Sequence, residues 1–156
     1  MAEIGKEYAA LIKAVCVSEK TGMRKKNIGG GVLTENLGLQ DDAHADSNTH
    51  RQVSLLAMES IKKTQDMGLK VSEGDFAENI TTEGIDLLSL PVGSKIQLGD
   101  EALLEISQHG KVCHAPCAIY RQAGTCVMPE EGIFAKVVKG GNIKAGDKIK
   151  RIRYIT

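Results

Sequence analysis

The sequence predicts a barrel-like mixed β fold with few helices. Three observations carry this: many short apolar segments rich in β-branched residues, frequent Gly and Asp punctuation between them, and few stretches with helical spacing. The chain has 156 residues, including 17 glycines and 3 prolines. That length buries one full core and is too short for two, so a single domain over residues 1–156 is expected. No internal repeat or low-complexity linker marks a second boundary.

Taken in order, Ala10 to Val17 is short, apolar and β-branched and reads as a buried strand, ended by the polar run Ser18-Glu19-Lys20-Thr21-Gly22. The loop that follows carries Arg24, Lys25 and Lys26. It then reaches Gly29-Gly30-Gly31, whose freedom at positive φ suits a sharp turn or close backbone approach to a ligand. Asp41 to Arg51 is loop by composition and runs into Gln52-Val53-Ser54-Leu55-Leu56. From Leu56 the pattern turns helical, with Ser60, Ile61, Thr64 and Met67 at spacings of three and four, and Gly68 as the stop. A strand is expected within Phe76 to Thr82, and a turn at Pro91-Val92-Gly93. Lys95-Ile96-Gln97-Leu98 and Ala102 to Ser107 form a hairpin signal across Gly99-Asp100-Glu101. Alternation in Ile133 to Val138 and in Lys148 to Ile155 predicts two further strands with one wet face, separated by Gly140-Gly141-Asn142 and Ala145-Gly146-Asp147.

Charge narrows the function. Twenty basic residues balance twenty acidic ones, and no basic tail or Arg-rich run supplies the footprint of a duplex-binding protein, so nucleic acid is not an expected partner. Met1 to Ala9 mixes Glu3, Lys6 and Glu7 among small residues, unlike a signal peptide, and no apolar run approaches the roughly 20 residues that span a bilayer. A cytoplasmic protein with no membrane association is the expectation.

The four cysteines are expected to be reduced thiols. Cys16 lies alone in an apolar run and reads as core, while Cys113, Cys117 and Cys126 cluster. In His114-Ala115-Pro116-Cys117-Ala118-Ile119-Tyr120-Arg121, Pro116 suits the first turn of a helix, which would place Cys117 where free N–H groups and the helix dipole stabilise a thiolate. Lys111, His114 and Arg121 push the same way. Such a thiolate takes up sulfane sulfur or ligates a soft metal such as molybdenum. Three other readings stay open: Cys117 as a small buried hydrophobe, a zinc site from Cys113, His114, Cys117 and Cys126, and a Cys113–Cys117 disulfide. Zinc is not expected, because three residues separate the first two cysteines and no second close pair follows.

Several segments together resemble the MOSC domain, the C-terminal module of molybdenum-cofactor sulfurases. They are Gly38-Leu39, Asp42-Ala43-His44, His50 to Leu56, Gly74 to Gly84, Cys113 to Tyr120, Met128 to Ala135 and Gly141 to Asp147, in that order. Asp41 and Asp46 depart from the family's Gly-Asp-x-His-x-Gly pattern. The resemblance implies a β-barrel-like MOSC fold of the stand-alone bacterial type, with the functional cysteine at Cys117. It further implies sulfur transfer or molybdenum-cofactor (molybdopterin) binding, and a family-level association with pyridoxal phosphate. On that footing Arg24, Lys25, Lys26, Arg51 and Arg121 are candidates to pair with a pterin phosphate, with His44, Asp75, Glu78 and Asn79 as further cofactor-site candidates. The plainer readings are solvated charge for the lysine pair, a loop hydrogen bond for His44, and turn-tying for Asp75, Glu78 and Asn79.

Three functions follow as alternatives. The chain is a sulfur carrier, fed by a cysteine desulfurase and delivering to a molybdoenzyme or cofactor-biosynthesis protein. It is a molybdenum-dependent reductase with Cys117 as metal ligand. Or it is a module that binds and delivers intact cofactor. No desulfurase domain fits in 156 residues, so a partner must supply the sulfur.

Overall fold

The structure, a computed structural model, describes residues 2–110 and 128–154, with side chains described for 10–110 and 130–152. Its strands are β1 (Ala2–Val17), β2 (Lys26–Asn27), β3 (Gly30–Thr34), β4 (Gly38–Leu39), β5 (Val53–Ala57), β6 (Ile80–Glu83), β7 (Lys95–Leu98), β8 (Ala102–His109), β9 (Ile133–Lys139), β10 (Gly141–Lys144) and β11 (Lys148–Tyr154). Helix α1 (Met58–Asp66) follows β5, and a helical turn, Met128–Glu131, precedes β9.

Seven strands close a barrel in the order β11-β7-β8-β9-β5-β6-β1, the ring being completed by β1 against β11. Closure satisfies strand edges that an open sheet would leave bare. Alternation decides what fills it: Ile96 and Leu98 of β7, Ala102, Leu104 and Ile106 of β8, and Ile133, Ala135 and Val137 of β9 all point inward and are buried. β5 and β6 pair in parallel, and a parallel pair needs a crossover, which α1 supplies on the outside of the barrel. There Leu56, Met58, Ile61, Val71, Phe76 and Phe134 form a second apolar cluster.

The mixed β, barrel-like expectation holds. The helix begins two residues later than its spacing suggested, because Leu56 belongs to β5. Leu56 and Ile61 share the outer cluster, so the periodic pattern recorded common burial rather than a common helix. Met67 is 65% exposed and Gly68, at φ 91°, ends the helix as expected. Two stretches read as glycine turns are in part strands, β3 and β10, paired with each other. Glycine permits their close approach: a Cβ on Gly30 would stand 3.0 Å from the Ile143 carbonyl oxygen.

Candidate functional site

Lys25 is the least expected of the candidate residues. Adjacent lysines read as solvated charge, yet only Lys26 is exposed, while the Lys25 side chain is wholly enclosed. Its Nζ donates to Asp42 Oδ1 at 2.7 Å and Ser18 Oγ at 2.9 Å, and lies 2.9 Å from His44 Nδ1. An ammonium has three N–H donors, and three polar atoms lie within reach of them. Burial pulls the Lys25 amine below its ordinary value, against the opposing pull of Asp42. For Asp42 burial alone would raise the carboxyl. The neighbouring His44, Lys25 and Asn79 side chains outweigh it and hold the group well below the usual carboxylate range. Asp42 also accepts the backbone N–H groups of Ser18 and His44, at 3.0 Å each.

The loop around this carboxylate departs from the glycine pattern at Asp41, yet keeps the backbone glycine would favour: Asp41 has φ 69°. Aspartate is among the few L-residues that tolerate that region. His50 fixes the end of the loop. Its Nε2 lies 2.6 Å from Gln108 Oε1, and its carbonyl oxygen accepts the Ser107 hydroxyl. Arg51 then lies over the Phe134 ring, 5.7 Å from its centroid.

His44 and Arg51 open onto one cleft of about 350 Å³, lined also by Thr21, Asp46, Thr49 and Phe134. The cleft borders β9 one residue from Ile133, which pairs with His109 of β8. Gly110 follows β8 and Met128 opens the helical turn before β9, and the span between them in sequence holds Cys117 and Arg121. Cys117 and Arg121 themselves lie outside the described residues, as do Cys113 and Cys126.

The other candidates face elsewhere. Arg24 and Asp75 pair with each other at 3.0 Å, and Asp75 also accepts the Ser72 N–H. Glu78 is fully buried and accepts from the N–H groups of Gly74 and Phe76 and from the Thr81 hydroxyl. Burial pushes its carboxyl up to about 7 despite those donors. Asn79 ties β1 to β5, donating to the Cys16 carbonyl oxygen and accepting from Ser54. Cys16 is core, as expected. Burial foremost, with Glu78 and Glu73 nearby, pushes its thiol up to about 12. Among the described residues no group of three or more His, Cys, Asp or Glu side chains is placed to hold a metal.

Sequence reasoning had not assigned Asp42, Ser18 or Phe134 to the site. The Asp-x-His spacing marked Asp42, but nothing local shows that Lys25 reaches it across 17 positions. A hollow of about 480 Å³ beside α1, lined in part by Glu59, Lys63, Leu88 and Glu131, contains none of the candidate residues.

The family model of the MOSC domain matches residues 26–150. Comparison with curated proteins returns no match. Among solved structures, the YuaD protein of Bacillus subtilis is similar over 99% of this chain and 98% of its own, with TM-score 0.75 at 18% identity. The YiiM protein of Geobacillus stearothermophilus covers 92% and 75% of the two chains with TM-score 0.68 at 17% identity, and YiiM of Escherichia coli covers 97% and 72% with TM-score 0.65 at 18%. These likenesses concern the fold. No helix among the described residues is long and apolar enough to cross a membrane.

Proposed function

We propose that this chain, which belongs to the MOSC domain family, carries sulfane sulfur as a persulfide on Cys117 and passes it to a molybdenum cofactor or another metal centre. Membership associates the chain with molybdenum-cofactor-related sulfur or molybdenum-binding chemistry. The observation that carries the finer reading is the state of Cys16. A thiol with no exposed surface and a value near 12 is neither accessible nor ionised at neutral pH. Thiol chemistry therefore falls to Cys113, Cys117 and Cys126, of which Cys117 alone follows a proline that suits a helix start.

The loading step balances without an external oxidant, while release of the sulfur as sulfide to a metal centre takes two electrons from a thiol reductant. The Cys117 thiolate attacks the terminal sulfur of a desulfurase persulfide, one S–S bond forms as another breaks, and the donor leaves as its thiolate. The partners are a cysteine desulfurase as donor and a molybdoenzyme or cofactor-biosynthesis protein as acceptor, in the cytoplasm. The test is transfer of labelled sulfane sulfur followed by intact mass. Wild type and Cys16→Ala gain one sulfur and Cys117→Ala gains none. Uptake that survives in Cys117→Ala defeats the proposal.

A second reading, cofactor delivery or reductase activity, is favoured by the His44–Arg51 cleft. A guanidinium and a histidine lining one cleft suit the phosphate arm of molybdopterin. Bound molybdenum would supply two-electron redox chemistry, with Cys117 as its protein ligand. Arg51→Ala separates the two readings: it leaves sulfur uptake at Cys117 intact and weakens pterin binding by roughly tenfold or more.

A further inference from the structure

We infer that Lys25 sets the tautomer of His44, so that the cleft presents the His44 Nε2–H and the Arg51 guanidinium together as an oxyanion site. The inference rests on the reading of this cleft as the functional pocket and not on Cys117.

The Ser18 hydroxyl has one hydrogen, and it goes to the Lys20 carbonyl oxygen at 2.9 Å, so toward Lys25 the Ser18 oxygen only accepts. Asp42 accepts as well, being ionised and held by the Ser18 and His44 N–H groups. An ammonium beside an ionised carboxylate has a third hydrogen left, and the atom 2.9 Å away is His44 Nδ1. Nδ1 therefore accepts, and the ring hydrogen sits on Nε2. Nδ1 lies 2.9 Å from the enclosed Lys25 Nζ and 3.7 Å from Asp42 Oδ2, beyond hydrogen-bond reach of the carboxylate, while His44 lines the cleft and no described residue bonds its Nε2. Lys25 thus has no donor left for a ligand. It acts through His44, as a positioning residue.

The consequence is selectivity. A site with N–H donors from His44 and Arg51 favours anionic acceptor oxygens, such as those of phosphate, and disfavours ammonium groups. Asp46 lines the same cleft and opposes an anion. Its Oδ1 is engaged by the Asn48 N–H at 2.8 Å. Asp46 therefore gives the inference a signed check.

The experiment uses the whole chain and inorganic phosphate as the probe. Two-bond 1H–15N spectra of the imidazole rings at neutral pH should show His44 with Nε2 protonated and Nδ1 bare, the resonance being assigned by its loss in His44→Gln. Phosphate should bind saturably, roughly tenfold more weakly in Arg51→Ala and in His44→Ala. Binding should be largely regained in His44→Gln, whose amide restores a donor, and tighter in Asp46→Asn. Replacing the buried pair together, as Lys25→Met with Asp42→Asn, should release the tautomer preference and weaken phosphate binding. If that double variant fails to fold, the wild-type spectrum and the His44→Ala against His44→Gln comparison decide. A hydrogen on Nδ1, or phosphate binding indifferent to His44→Ala, overturns the inference. Sulfur loading of Cys117, measured separately, is untouched by either result.

Discussion

Asp42→Ala tests the energetic centre of the site. The substitution leaves the Lys25 ammonium, whose side chain has no exposed surface, without the carboxylate that lay 2.7 Å away. It also takes the acceptor from the N–H groups of Ser18 and His44. Removing one member of a buried ion pair costs about 3–5 kcal/mol, because the remaining charge stays desolvated. Against a typical domain stability of about 5–15 kcal/mol, that is a large fraction. Urea unfolding followed by circular dichroism reads it as a lower midpoint at unchanged slope. Adding Lys25→Met to Asp42→Ala should recover part of the loss, since the stranded charge is then gone, and the double-mutant cycle gives the coupling. A loss below about 1 kcal/mol for Asp42→Ala, the range of exposed pairs, would refute the account of an enclosed ion pair.

Glu78 gives a pH signature. Its folded carboxyl is raised to about 7 from 4.5, so the folded state binds more protons between those values. Stability should then fall as pH rises through that window, by on the order of 3 kcal/mol. Glu78→Gln should flatten this dependence in unfolding curves taken from pH 5 to pH 8, and an unchanged slope would count against it. Asp42 works in the opposite sense: its lowered value contributes stability above the ordinary carboxylate range, lost as pH drops below about 4. Asp41→Gly should stabilise by up to about 1 kcal/mol, because φ 69° costs an aspartate more than a glycine, and a thermal melt checks the sign. Gly74→Ala should cost more than about 3 kcal/mol, since a Cβ there would lie 2.2 Å from the Lys25 carbonyl oxygen at φ 87°, and a melt near the wild-type midpoint would contradict that geometry.

The strands that alternate in sequence were legible. β7 and β8 fall where the Gly99-Asp100-Glu101 hairpin signal put them, and β9 and β11 fall on the alternating stretches, but the outer face of β9 is not all wet, because Phe134 is buried in the second cluster. What sequence could not supply was long-range pairing. β3 and β10 are short and glycine-bearing, and only their mutual contact makes them strands. In the site, the Asp-x-His motif flagged the loop, and His44 lines the cleft with Arg51. Lys25 and Lys26 look alike in sequence, and their opposite fates depend on Asp42 and Ser18 beneath one of them. Arg24 and Asp75, read as separate ligand contacts, neutralise each other.

The seam between β1 and β11 also bears on biosynthesis. β1 emerges before the other strands of the barrel, but its neighbour on that side, which pairs from Ala2↔Tyr154 to Leu11↔Lys148, comes at the other end of the fold. Until β11 has emerged, the nascent barrel keeps an unpaired edge, and Ile149 is missing from its interior. Folding of this domain is therefore set to complete after translation of β11, and a stall shortly before it would leave the β1 edge bare and open to pairing with another chain.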